Sequence, residues 1–201
     1  MFDKVKTSSQ KVKVLSGLLV KTTHQKVLSL FLACPARHFY GSEISQKARI
    51  SIGQTSKILG ELLRAGVVEK ERKGKTELYN LTEMTPELRL YKAMNTVMNI
   101  APLTKRLASM CRIAMLYGSC ANGLNTEESD LDLLVVSNDR EQVLDAVARH
   151  SPRERYGFAE IHPVIKTPAE WAGLEAKDPV FFAEVQKGIV LYEKGIDESR
   201  L

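Results

Sequence analysis

Two carboxylates stand two positions apart in the run Ser129-Asp130-Leu131-Asp132-Leu133-Leu134-Val135-Val136. In an extended strand, alternate side chains point to one face, so Asp130 and Asp132 present both carboxylates on the same side. Hard oxygen ligands that converge in this way suit Mg²⁺, with phosphate oxygens completing the shell. Ser119 lies eleven residues before Asp130, in the small-residue turn Gly118-Ser119-Cys120-Ala121-Asn122-Gly123. Such a turn lets backbone N–H groups approach a phosphate closely, and the short helix it opens adds a favourable partial charge. A further carboxylate, Glu160, sits in Phe158-Ala159-Glu160-Ile161-His162-Pro163-Val164-Ile165, where Glu160 and His162 share one face of the expected strand.

The elements that must hold these groups follow from periodicity. Ile113 to Tyr117 and Leu131 to Val136 read as buried strands, Arg140 to His150 as a helix, Phe158 to Lys166 as a strand, and Pro179 to Tyr192 as a helix with a short strand after Gly188. Ahead of them, Thr85-Pro86-Glu87 opens a helical stretch reaching to Cys111, with Thr85 as cap and Pro86 at the first helical position. Pro102 inside that stretch predicts a kink or a division into two helices.

The front of the chain is patterned differently. Apolar residues from Thr23 to Cys34 fall at helical spacing, and Pro35 stops the pattern. A second short helix runs through Glu43, Ile44 and Ala48, with Ser42 as its expected cap and Gly41 as the turn ahead of it. In the third, Ser51 and Gln54 form a capping box, Ile58, Leu59, Leu62 and Leu63 form the buried stripe, and Gly66 suits the left-handed stop. Val67 to Arg72 and Thr76 to Leu81 then flank Lys73-Gly74-Lys75 as a basic hairpin. Residues 1–82 carry 15 Lys and Arg against 6 Asp and Glu, net +9, and the remainder 14 against 18, net −4. The two parts therefore face different partners, the front an anion.

Three helices and a basic hairpin over residues 22–82 resemble the winged helix-turn-helix domains of transcription regulators, carried best by Leu59-x-x-Leu62-x-x-x-Gly66-Val67-Val68. The resemblance implies duplex DNA as partner, with Ser51, Gln54 and Lys57 facing base edges or phosphates and Arg72, Lys73 and Lys75 lying along phosphate. It also implies a homodimer. Gly118-Ser119 followed by Ser129-Asp130-Leu131-Asp132 closely resembles the signature of the DNA polymerase β-type nucleotidyltransferase superfamily. That likeness implies that Gly118, Ser119 and Ser129 bind a nucleoside triphosphate, that Asp130 and Asp132 bind Mg²⁺, and that a third carboxylate completes the catalytic set. Glu160 is the candidate for that carboxylate, although alignment on Thr167-Pro168-Ala169-Glu170 puts His162 at its place. The domain then either transfers a nucleoside monophosphate or senses nucleotide without turning it over. A third reading is an antitoxin acting on a toxin partner.

The expected fold class is α+β: a winged helix over 22–82 behind a basic arm at 1–21, a helical linker over 83–111, and a mixed sheet with flanking helices over 112–201. Cys34, Cys111 and Cys120 lack the spacing of a disulfide framework or zinc site. The run Val14 to Val20 is too short to span a bilayer and no cleavage site follows it, so the expected location is the cytoplasm, with no membrane partner.

Overall fold

The computed structural model describes residues 22–150 and 158–195; the basic arm expected at 1–21 lies outside the described residues. The chain divides into two units whose boundary falls between Lys92 and Ala93. Both helices and sheets contribute to each, so the fold is α+β.

The front unit runs α1 (Thr23–Ala33), β1 (Phe39–Tyr40), α2 (Gly41–Ala48), α3 (Ile52–Arg64), β2 (Val68–Lys73) and β3 (Thr76–Leu81). This is three helices and a hairpin wing, with β1 added to the wing in an antiparallel sheet of order β1-β3-β2. Helix α3 begins and ends as its residues dictate. The Ser51 hydroxyl accepts from the Gln54 N–H at 3.2 Å, and the Gln54 Oε1 accepts from the Ser51 N–H at 3.4 Å. At the other end Gly66 takes φ 71°, which lets the Val67 N–H reach the Leu62 carbonyl and the Gly66 N–H reach the Leu63 carbonyl. Helix α2 starts two residues earlier than expected, and Ser42 does not cap it. Tyr40 occupies the cap position with no side-chain bond, because its pairing with Leu78 in β3 delivers the backbone straight into the helix. Val27, Phe31, Phe39, Ile44, Ile58, Leu59, Val68 and Leu81 form the core, where the rings of Phe31 and Phe39 meet edge to face at 5.4 Å.

Helix α4 (Pro86–Leu107) is capped by the Thr85 hydroxyl, which accepts from the Leu88 N–H at 3.4 Å. It ends at Leu107 rather than Cys111 and continues through Pro102, whose missing N–H leaves it one hydrogen bond short and whose ring crowds the carbonyl four residues back.

The rear unit continues with β4 (Ile113–Tyr117), α5 (Gly118–Asn122), β5 (Leu131–Val136), α6 (Arg140–Ala148), β6 (Ile161–Lys166), α7 (Pro168–Ala172), α8 (Leu174–Lys177), α9 (Pro179–Gln186) and β7 (Ile189–Glu193). The sheet is mixed, of order β6-β5-β4-β7, with β5 and β6 parallel and the other pairs antiparallel. One face of the sheet buries Ala114, Leu116, Leu131, Leu133 and Val135 against Ile100, Leu103 and Leu107 of α4 and Val143 and Ala146 of α6. The other buries Met115, Tyr117, Leu134 and Val136 against Val185, with Phe181 and Trp171 at the margin. Where a strand is covered on both faces apolar residues are needed at successive positions, which is why β4 and the Leu133 to Val136 part of β5 read as hydrophobic runs.

Candidate functional site

The two aspartates lie where β5 emerges from the sheet. Leu131 and Leu133 point into one core cluster, while Leu134 and Val136 point into the other. Period-two alternation therefore puts Asp132 on the face of Leu134, at the open end of the strand. Tyr117 is its antiparallel neighbour across β4 and His162 its parallel neighbour across β6. Asp130 joins the group from the residue just before β5: its Oδ2 stands 3.9 Å from His162 Nε2.

The turn after β4 closes on the same point. Gly118 takes φ 69°, and a Cβ added there would overlap Asp132 Oδ2. Glycine takes this left-handed φ without strain and leaves the carboxylate where it is. Helix α5 starts here with no side chain capping its first turn, so its first N–H groups are left for another acceptor. At five residues it supplies one turn of such donors and little more. The Ser129 hydroxyl accepts from the Thr126 N–H at 2.9 Å, which closes the loop that leads into Asp130. Glu160 precedes β6, its side chain is exposed, and its carbonyl accepts from the Leu131 N–H at 2.8 Å. Among the described residues no three His, Cys, Asp or Glu groups, Asp130, Asp132 and His162 included, stand close enough as they are to hold a metal ion.

Electrostatics mark the same spot. Burial holds the Asp132 carboxyl above its ordinary range; the nearby His162 works against that, and the Asp130 charge adds to it. Burial and the Asp132 charge push the Tyr117 hydroxyl up to about 12, so it stays a neutral wall beside the carboxylates. Neither Tyr117 nor the placement of His162 opposite Asp132 was visible in motif spacing; both come from strand register.

Residues 99–197 match the model of the family described as Polymerase beta, Nucleotidyltransferase. The rear unit is a nucleotidyltransferase-type domain. The nucleotidyltransferase domain thus contains the Gly118 bend, both aspartates and His162. No curated protein matches the chain. Among solved structures, reduced HlyU from Vibrio cholerae is 23% identical over 45% of this chain and 87% of its own, with a TM-score of 0.31. A homodimeric winged helix-turn-helix DNA-binding domain from Mycobacterium bovis, described as a possible ArsR-family regulator, is 17% identical over 49% and 89%, at 0.32. The archaeal chromatin protein TrmBL2 is 14% identical over 90% and 76%, at 0.30.

In the winged helix, Ser51, Gln54 and Lys57 are all exposed on α3. Gln54 already uses its Oε1 in the cap, which leaves its amide N–H groups as the part available outward. In the wing, Lys70 is paired with Glu77 at 2.8 Å and the Arg72 Nε donates to the Gly74 carbonyl at 3.3 Å, while Lys73 and Lys75 stand exposed at the tip. Alternation along β2 sends Arg72 and Lys73 to opposite faces of the hairpin.

Proposed function

We propose that the chain is a DNA-binding protein whose nucleotidyltransferase domain binds a nucleoside triphosphate with a divalent cation and transfers the nucleoside monophosphate to an acceptor hydroxyl. One observation carries this reading: the Gly118 bend is closed so tightly on Asp132 that a Cβ there would displace the carboxylate, with Asp130 facing His162 beside it. Two carboxylates beside free backbone donors are the donor set that Mg²⁺ takes when substrate phosphates complete its shell.

In this reading the N–H groups of Gly118 and Ser119 hold the terminal phosphates, and Ser129 holds the loop that aims Asp130. Asp130 and Asp132 hold the cation, which supplies charge neutralisation as pyrophosphate leaves. The acceptor oxygen bonds to the α-phosphorus, the bond from that phosphorus to the bridging oxygen breaks, and the acceptor proton passes to Glu160, the carboxylate next along the β6 edge. The front unit binds duplex DNA through Ser51, Gln54 and Lys57 of α3 and through Arg72, Lys73 and Lys75 of the wing, so that binding weakens as salt rises.

Transfer of label from α-phosphate-labelled nucleoside triphosphate to an acceptor, lost in Asp130→Ala, is the expected result; nucleotide bound by wild type with no transfer under any divalent ion refutes the enzymatic reading. The presence of His162 where an acid was expected favours a second reading, a regulator in which nucleotide binding changes DNA affinity without turnover. That reading fails if saturating nucleotide leaves the DNA mobility-shift titration unchanged, since a ligand acts only through differential affinity.

A further inference from the structure

His162 is the residue of β6 in register with Asp132, and its Nε2 faces Asp130 Oδ2 at 3.9 Å. Its neighbour by alternation, Val164, packs in the cluster of Tyr117, Leu134 and Val136, which is the face Asp132 occupies. One imidazole and two carboxylates therefore share one face at one end of the sheet. We propose that His162 is a third ligand to the cation held by Asp130 and Asp132, and that this Asp-Asp-His set makes the domain prefer a later first-row transition ion such as Co²⁺ to Mg²⁺. The inference rests on the reading of the two aspartates as cation ligands.

The three groups do not converge on a metal as they stand, so the side chains must turn to close the set. Two ligands bonded to one ion at about 2.1 Å and at right angles lie about 3 Å apart. The present 3.9 Å is under an ångström longer, and both side chains are free to turn, at 64% exposed for His162 and 41% for Asp130. The chemistry of the donor set fixes the preference. A neutral imidazole in place of a third carboxylate removes one negative charge from the site, which weakens the hold on a hard cation such as Mg²⁺. It adds a nitrogen donor of the kind that later first-row ions favour. Among the described residues no other histidine joins this group: His24 and His38 belong to the front unit, and the His150 Nδ1 accepts from Arg106.

The test uses the full chain with a non-hydrolysable nucleoside triphosphate and, separately, MnCl₂, CoCl₂ and MgCl₂. Pulsed electron paramagnetic resonance of bound Mn²⁺ reads directly whether a nitrogen is coordinated. Coupling to ¹⁴N is expected in wild type and in His38→Ala, and its loss is expected in His162→Ala. Calorimetric titration should show the ratio of Co²⁺ to Mg²⁺ affinity falling about tenfold or more in His162→Ala, the scale on which metal sites respond to loss of a supporting group. His162→Asp should shift the preference back toward Mg²⁺. Bound Mn²⁺ without nitrogen coupling in wild type, together with loss of binding in Asp132→Asn, overturns the role of His162 and leaves the carboxylate site standing. Undiminished Mn²⁺ binding in both Asp130→Asn and Asp132→Asn overturns the underlying reading as well.

Discussion

Replacing Gly118 by alanine separates the function of the bend from its contribution to the fold. Gly118 and Gly66 take nearly the same left-handed φ, 69° and 71°, so an alanine at either position carries the same backbone strain, about 1–2 kcal/mol. Their surroundings differ. A Cβ at Gly66 meets nothing within 4 Å, whereas a Cβ at Gly118 overlaps Asp132 Oδ2, with Asp132 Cγ at 3.3 Å. The carboxylate is the movable end of its side chain, so it swings away at little further cost to stability. The two variants should therefore lose similar amounts in urea denaturation. Only Gly118→Ala should lose affinity for nucleotide with divalent cation, by about ten- to hundredfold, as expected when a cation ligand is displaced. Titration calorimetry at a fixed metal concentration reads this. Wild-type affinity in a folded Gly118→Ala protein, or an equal loss in Gly66→Ala, refutes the assignment of the bend to the site.

Three further outcomes follow from the fold. Ser51→Ala removes one half of the cap on α3 and should cost about 1 kcal/mol in chemical denaturation; an unchanged midpoint contradicts the capping box. Gly188→Ala places a Cβ against the backbone carbonyls of Leu116 and Val185, the latter at 2.9 Å, which cannot rotate away. A loss of about 3 kcal/mol is expected, and wild-type stability argues against the packing of β7 on β4. Burial and the Arg106 charge lower the affinity of His150 for a proton below its ordinary value of 6.5. As pH falls through that value the unfolded chain protonates first, so stability declines on acidification until folded His150 also titrates. His150→Gln should flatten that part of the pH profile of the urea midpoint; a midpoint unaffected by the substitution between pH 8 and 5 contradicts it.

The parts of the fold that sequence made visible are those whose signals are local. Ser51 with Gln54 and Gly66 mark both ends of α3 within one window, and the apolar runs of β4 and of Leu133 to Val136 in β5 report burial on two faces. Strand β1 is two residues long, and Phe39 and Tyr40 become a strand only through pairing with Tyr79 and Leu78, forty residues away by chain, which no local pattern encodes. The strand expected from Phe158 starts instead at Ile161, whereas the helix expected from Pro179 and the short strand expected after Gly188 are both present, as Pro179–Gln186 and Ile189–Glu193, with Gly188 tight against the β4 backbone between them. Thr167, Pro168 and Glu170 form a capping box with the same grammar as Ser51 and Gln54, but the helix they start is a single turn and leaves no periodicity to notice. The site divides in the same way. The spacing of Gly118, Ser119, Asp130 and Asp132 is linear and readable, whereas Glu160 and His162 share a strand face and only the parallel register with β5 distinguishes them.

The central claim is that Asp130, Asp132 and the Gly118 bend together hold a nucleotide's phosphates through a divalent cation. Its most direct test is titration of a nucleoside triphosphate into the full chain, with and without divalent cation, for wild type and Asp132→Asn. Binding that requires the cation and is lost in Asp132→Asn is the predicted result; equal binding in the presence of chelator, or undiminished binding in folded Asp132→Asn, contradicts the account.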